Sequence, residues 1–281
     1  MKKLVINLDR RADRKINFLD KNSHIGDVSW IQAIDGKEVT HQTLKQFNMS
    51  TKSGWRDPFF NRTINHGEVG CFLSHREAWL SCIKLGEPVL VLEDDAVFLD
   101  GYDEEYVEDL TNSYGIIFLG HIEQTPDLAK SIDSKLVVPN HPYNAHAYVI
   151  TPETAKVLSD AKFMHDIIPT DDYLCSRLVD LNAVALKTDV VKQECRTVLH
   201  TDIEKEEDSG WFVDFKTHPV TIGTDRKKCI PLNDSAALHS VYPKNLGTNV
   251  EWKGTDMSGA GGGHKVTIFR EYLNTLPDSD V

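Results

Sequence analysis

Three consecutive carboxylates, Glu93, Asp94 and Asp95, interrupt the run VLVLEDDAVF. Four apolar residues precede them, so the run reads as a buried strand, and a carboxylate at the edge of an apolar core is costly unless a cation meets it. Two arrangements satisfy this. Either the three fan out into water at the head of an acidic loop that continues through Asp100, Asp103, Glu104 and Glu105, or they share a divalent metal through hard oxygen ligands. On a continuing strand, Glu93 and Asp95 would point to one side and Asp94 to the other. A second acidic pair, Asp171 and Asp172 in PTDDYL, stands at a predicted helix start. One carboxylate there serves as a cap and meets the helix dipole, with Thr170 or Asp171 in the capping position and Pro169 just outside. The second carboxylate is to spare and could act as a general base.

Three further stretches carry residues able to bind or react. NLDRRADR places Arg10, Arg11 and Arg14 directly after the first predicted strand, where guanidinium groups suit a diphosphate through bidentate pairing. The plainer alternative is a helix start with surface arginines. HGEVGCFLSHREAW brings His66, Ser74, His75 and Arg76 onto or near one helix; no second His or Cys is read there at a zinc-ligand spacing, so His75 reads as a packing residue. VLHTDI contributes His200 and Asp202, as an extra metal ligand or as a polar turn.

Short buried strands alternating with helices would position these groups. Leu4–Leu8, Ile31–Ala33, Val89–Glu93, Ile116–Leu119, Ala147–Ile150 and Ala183–Leu186 read as strands. Between them, Ile16, Phe18 and Leu19 form the apolar side of a first helix. Val69, Phe72, Leu73, Trp79, Cys82 and Ile83 recur at helical spacing until Gly86 stops the run. Pro152 opens another helix, and YDEEYVEDLTNS reads as an acidic one. This alternation predicts an α/β fold with a mostly parallel central sheet covered on both faces. In such sheets ligands sit beyond the carboxyl ends of the strands, where Glu93–Asp95 would lie. Residues 51–66 are aromatic, polar and punctuated by Gly and Pro, and read as an ordered loop. After about residue 204 the character changes: DIEKEEDSG is an acidic break, and GAGGGHK reads as a linker without the strand and GKS/GKT ending of a phosphate loop.

The totals exclude several classes. Among 281 residues, 40% are hydrophobic and 26% charged, and the net charge of −12 offers no general attraction to phosphate backbones or anionic membranes. No apolar run reaches the roughly 18–20 residues of a membrane span, and the start MKKLVINLDRR is too short and too soon charged for a signal-peptide core. These features place the chain in the cytosol, bacterial or of a virus-infected host, with peripheral association at an inner membrane as a further option. Five widely spaced cysteines without a CxxC pair fit reduced thiols. The oligomeric state is left open.

Taken in order, VINLDRRADR, AIDG at Ala33–Gly36, GEVGCFLSHREAW at Gly67–Trp79, VLEDDA at Val91–Ala96 and PTDDYL resemble glycosyltransferase family 25. That family includes bacterial lipooligosaccharide and collagen hydroxylysine galactosyltransferases. GEVGCFLSH and VLEDDA one helix apart are the specific part, and the resemblance runs over roughly residues 1–203, leaving 204–281 as an extension. It implies a GT-A, Rossmann-like glycosyltransferase fold with Glu93-Asp94-Asp95 as a DXD-type motif for Mn²⁺ or Mg²⁺. It further implies Asn7, Arg14, Ala33 and Asp35 on the nucleotide side, with Ser74 and His75 flanking the same pocket. Asp95 is the expected direct metal ligand, Asp94 and Glu93 support it or contact the sugar, and His200 is an added ligand. Asp172 or Asp171, with the preference on Asp172, is the expected base of an inverting transfer from a UDP-sugar to a hydroxyl. The resembling families offer a glycan or a hydroxylysine as acceptor. A hydroxymethylated base of DNA is less favoured given the charge, although Arg226, Lys227, Lys228, Lys244 and Lys253 form a basic group in the tail. A non-catalytic sugar-nucleotide-binding protein is the alternative of another class. His146, in YNAHAYVIT, stands where many relatives resemble a Gly-containing turn.

Overall fold

The computed structural model describes residues 1–56, 63–124 and 126–194. The expectations for His200, Asp202, the glycine cluster, the basic tail and the extension 204–281 lie outside the described residues. The chain runs β1 Lys2–Asn7, α1 Ala12–Lys21, β2 Ser29–Gln32, α2 His41–Gln46, α3 His66–Leu85, β3 Val89–Glu93, β4 Ala96–Phe98, α4 Glu104–Leu110 and β5 Ile116–Glu123. It continues with β6 Lys130–Ser131, β7 Leu136–Val138, β8 Pro142–Ile150, α5 Pro152–Leu158, α6 Thr170–Cys175, β9 Ala183–Leu186 and β10 Val191–Gln193.

Eight strands form one sheet in the order β2-β1-β3-β8-β5-β9-β7-β6, and β10 pairs with β4 in a separate ribbon. The sheet is mixed, yet largely one-directional. β2, β1 and β3 pair in parallel, as do β5 and β9, while β8 runs antiparallel between β3 and β5 and β7 runs antiparallel to β9 and β6. The expected alternation therefore holds with β8 and β7 reversed. Reversal of β8 has a consequence for the site: its first residues, not its last, lie at the edge where β1 and β3 end.

Side chains of successive strand residues alternate between two cores. Leu4, Ile6, Val89, Val91, Ile116 and Tyr148 pack with Val69, Phe72 and Trp79 of α3 on one face. Val5, Leu90, Leu92, Ile117 and Val149 pack with Phe18 of α1 and Val107 of α4 on the other. Burial on both sides explains why these strands read as continuous apolar runs. Helix α1 departs from expectation, because Ile16 and Leu19 are 68% and 48% exposed and only Phe18 is buried, edge-on to Trp30. No helix of the described residues is long and apolar enough to cross a membrane.

Helix α3 is fixed at both ends by its sequence. Asn65 and Glu68 form a reciprocal capping box, and Gly86 closes the helix in the left-handed conformation at φ 71°. Gly70, one turn in, permits a close approach. A Cβ there would meet the backbone of Ile34 and Gly36 at 2.6 Å, and one on Gly36 would meet the His66 carbonyl. The glycines of AIDG and GEVGC thus let the loop after β2 lie directly on α3. Replacing Gly70 with Ala should lower stability by about 1–3 kcal/mol through overpacking, although intrinsic helix propensity favours Ala by about 1 kcal/mol. Urea denaturation of the two proteins measures the sign.

Candidate active site

The parallel strands β1, β2 and β3 deliver Asn7, the loop from Ala33 and the Glu93–Asp95 turn to one edge of the sheet. The strand ends at Glu93, and Asp94 and Asp95 form a tight turn into β4. They are 6% and 9% exposed, so the solvated-loop alternative does not describe them. The turn also breaks the strand alternation. Glu93 lies toward α3, where its Oε1 is 3.1 Å from His75 Nε2. Asp94 and Asp95 both meet Arg14 of α1, at 2.9 Å from Nε to Asp94 Oδ1 and 2.6 Å from Nη2 to Asp95 Oδ2.

Asn7 Nδ2 donates to Asp94 Oδ2 at 2.7 Å, and Gln193 Nε2 donates to Asp95 Oδ2 at 3.3 Å. Asp95 Oδ1 is buried without a hydrogen-bond partner. Burial, joined by the Glu93 charge and against the pull of Arg14, pushes Asp95 up to about 7. Burial likewise raises Asp94 to about 6, opposed by Arg14 and Asn7. Burial alone would raise Glu93 too, but the His75 hydrogen bond and the nearby His75, His146 and Arg14 hold it below its ordinary value. One Arg is thus a partial counter-charge for two buried carboxylates, and an oxygen of Asp95 remains for another cation. A hard divalent ion fits this donor set, with Asp95 and Asp94 as its holders.

The other arginines divide differently. Arg10 pairs with Asp35 and, first among the causes, holds it below the usual carboxylate range; Arg11 pairs with Asp13. Asp35 also caps the turn Gly36–Glu38. Ala33 N donates to Asn7 O at 2.9 Å. Ser74 spends its hydroxyl on backbone, donating to Gly70 O at 2.6 Å and accepting from Ile34 N at 2.8 Å. It holds the loop after β2 against α3.

Pro169 occupies the N-cap position of α6 and no side chain caps it, which corrects the capping expectation for Thr170 and Asp171. Both acidic residues of the first turn are instead bonded to β8. Asp171 Oδ1 accepts from Ala145 N at 3.0 Å, and Asp172 Oδ1 accepts from Tyr143 Oη at 2.7 Å. They diverge in surroundings. Burial and then the charge of Glu93 raise Asp171, which also senses His75, whereas Asp172 is 4% exposed and lies beside Tyr143. Asp171 is thus electrostatically joined to the acidic turn.

Two features of this region escape the sequence reading. Cys71 stands one helical turn before His75, and the ligand atoms of Cys71, His75 and Glu93 lie within 4.8 Å of one another, so the expectation of no second Cys at ligand spacing is corrected. The spacing of four on a helix was visible; the approach of Glu93 from β3 was not. The second feature is a buried chain from Trp79 Nε1 to Tyr148 Oη at 2.7 Å and from Tyr148 Oη to His75 Nδ1 at 2.9 Å. Trp can only donate, so the Tyr148 oxygen accepts and its own proton goes to Nδ1, leaving the imidazole proton on Nε2 facing Glu93. His146, in turn, is buried with its ring nitrogens facing the carbonyls of Asn144 and Val191.

Comparison with known proteins identifies the family. A family model described as glycosyltransferase family 25 (LPS biosynthesis protein) matches residues 1–174. The chain is 34% identical over 188 residues to "Procollagen lysyl hydroxylase and glycosyltransferase" of Acanthamoeba polyphaga mimivirus, covering 60% of this chain and 21% of that protein. It is 31% identical over 182 residues to human "Procollagen galactosyltransferase 2", covering 60% and 29%. It is also 31% identical over 180 residues to "Probable inactive glycosyltransferase 25 family member 3" of Rattus norvegicus, covering 60% and 32%. The matched region thus spans about a fifth to a third of the length of these relatives. With the family model extending from β1 through the acidic turn to the first turns of α6, the chain belongs to glycosyltransferase family 25.

Proposed function

We propose that the chain is a metal-dependent glycosyltransferase that moves a hexose from a UDP-sugar to an acceptor hydroxyl with inversion. The observation that carries this reading is the pair Asp94–Asp95, buried at the ends of parallel strands with Asp95 Oδ1 unpartnered. When bound there, Mn²⁺ or Mg²⁺ would supply positive charge for the departing diphosphate. Asn7 orients Asp94, and Arg14 and Gln193 orient Asp95. Ser74 fixes the loop carrying Ala33 and Asp35, which we place on the nucleotide side. Asp171 is the base: the acceptor oxygen bonds to the anomeric carbon, the bond to the diphosphate breaks with its electron pair on the leaving group, and the hydroxyl proton passes to Asp171. Burial and the charge of Glu93 raise Asp171, which strengthens it as a proton acceptor.

The names of two relatives favour a hydroxyl of hydroxylysine in a collagen-like polypeptide as acceptor, and the family description favours a lipopolysaccharide hydroxyl. The test is release of nucleotide from a panel of UDP-, GDP- and CMP-sugars with Mn²⁺ or EDTA, followed by transfer onto a hydroxylysine peptide and onto an oligosaccharide. Metal-dependent UDP release supports the reading. Nucleotide binding with no release or transfer under any pairing would replace it with the non-catalytic alternative, which the relative named inactive keeps in view.

Cation affinity should depend on pH in a stated direction. Asp95 and Asp94 sit at about 7 and about 6 without a cation, and only ionised carboxylates bind one. Lowering the pH from 8 to 5 therefore weakens Mn²⁺ binding, first through Asp95 and then through both. Calorimetric titration across this window checks it; a flat profile would contradict the assignment.

A further inference from the structure

We propose that Cys71, His75 and Glu93 form a second cation site, one for a thiophilic divalent ion of the Zn²⁺ class. The three ligand atoms lie within 4.8 Å of one another. Their chemistry differs from that of the Asp94–Asp95 pair: a thiolate and an imidazole favour borderline-soft metals, whereas carboxylates alone favour Mg²⁺ or Mn²⁺. The location differs as well. Glu93 turns to the α3 face of the sheet, where Cys71 and His75 stand one helical turn apart, while Asp94 and Asp95 turn to Arg14 of α1.

Outer contacts already orient the ligands. Tyr148, itself held by Trp79, fixes the ring of His75 through Nδ1, and Thr170 Oγ1 stands 3.5 Å from Cys71 Sγ. Metal-binding histidines characteristically rest their second nitrogen on such a partner. Burial, followed by the charges of Glu93, Asp171 and Glu68, keeps the Cys71 thiol protonated until a cation arrives. On binding, the S–H bond gives way to a metal–sulfur bond and one proton leaves to solvent. The imidazole proton moves from Nε2 to Nδ1 and donates to the Tyr148 oxygen, so the Tyr148 O–H, which points at Nδ1 before binding, rotates away from the ring as Nε2 takes the metal. Three protein ligands leave one tetrahedral position open.

The experiment adds one equivalent of Co²⁺ to the full chain and records its absorption. A near-ultraviolet thiolate-to-cobalt band with intense visible bands is expected, lost in folded Cys71→Ser, displaced by Zn²⁺, and retained in Asp95→Asn. Tyr148→Phe should weaken binding about 10–100-fold, as loss of an outer-shell partner does. Absence of the band in the wild type overturns the site, as does a band that survives Cys71→Ser or disappears in Asp95→Asn. Should Cys71→Ser not fold, X-ray absorption of the Zn²⁺-loaded wild type decides: one sulfur and one imidazole in the first shell support the site, and oxygen ligands alone overturn it.

Discussion

Asp95→Asn is expected to lower sugar transfer roughly a thousandfold while the protein stays folded. Charge stabilisation by a catalytic cation is worth several kcal/mol, and each 1.36 kcal/mol is about tenfold in rate. The stability effect has the opposite sign to that of most core substitutions. Asp95 has its folded value raised to about 7, so its favourable contribution is fully present below the unfolded value near 3.8 and is lost as pH rises through about 7. Above that point the cation-free wild type holds an ionised carboxylate that the fold disfavours, and Asn relieves it. Melting temperatures without cation should therefore favour Asp95→Asn at pH 8 and converge toward pH 5. In the wild type, Mn²⁺ should raise the melting temperature at pH 8, and the variant should not respond. Full turnover in Asp95→Asn, with its Mn²⁺ response intact, would remove Asp95 from the site.

Asp171→Asn and Asp172→Asn, two neighbouring isosteric changes, should separate sharply. Loss of a general base costs about 10²–10⁴-fold in turnover, so Asp171→Asn should lose transfer while keeping Mn²⁺-dependent nucleotide binding. Asp172→Asn weakens a bond from the Tyr143 hydroxyl to a carboxylate, a class of contact worth about 1.5–3 kcal/mol. Its effect should fall on the denaturation midpoint, with turnover near wild type. Single-turnover kinetics beside chemical denaturation reads both. The reverse pattern, with Asp172→Asn inactive and Asp171→Asn active, would reassign the base to Asp172.

The elements at the heart of the fold were legible because their signals are local. VLVLE and AVAL match β3 and β9 at both boundaries, and Gly86 and Pro152 mark helix ends through contacts within a few residues, while the loop reading of residues 51–66 hid Asn65 as the cap of α3. The misreadings arise where distant segments decide. Pattern alone put Ile16 and Leu19 in the core with Phe18, but α1 meets the sheet along a narrower stripe. The solvated-loop alternative for Glu93–Asp95 missed β4, which is a strand only by virtue of β10, some ninety residues away, whereas the acidic helix read in YDEEYVEDLTNS is α4. Capping was the plainer reading of Asp171 and Asp172, and the structure spends both on β8.

The sequence by itself determined that this is an α/β chain, that acidic residues cluster at Glu93–Asp95 and Asp171–Asp172, and that its motifs are those of glycosyltransferase family 25. Residue types and short-range spacing carry that information. Tertiary structure alone decided which carboxylate faces what. The turn after β3 sends Glu93 to His75 and Cys71, and Asp94 and Asp95 to Arg14, while reversal of β8 puts Ala145 and Tyr143 beside α6. The physical reason is that burial and charge partners set what a carboxylate can do, and both come from strands and helices far apart in the chain.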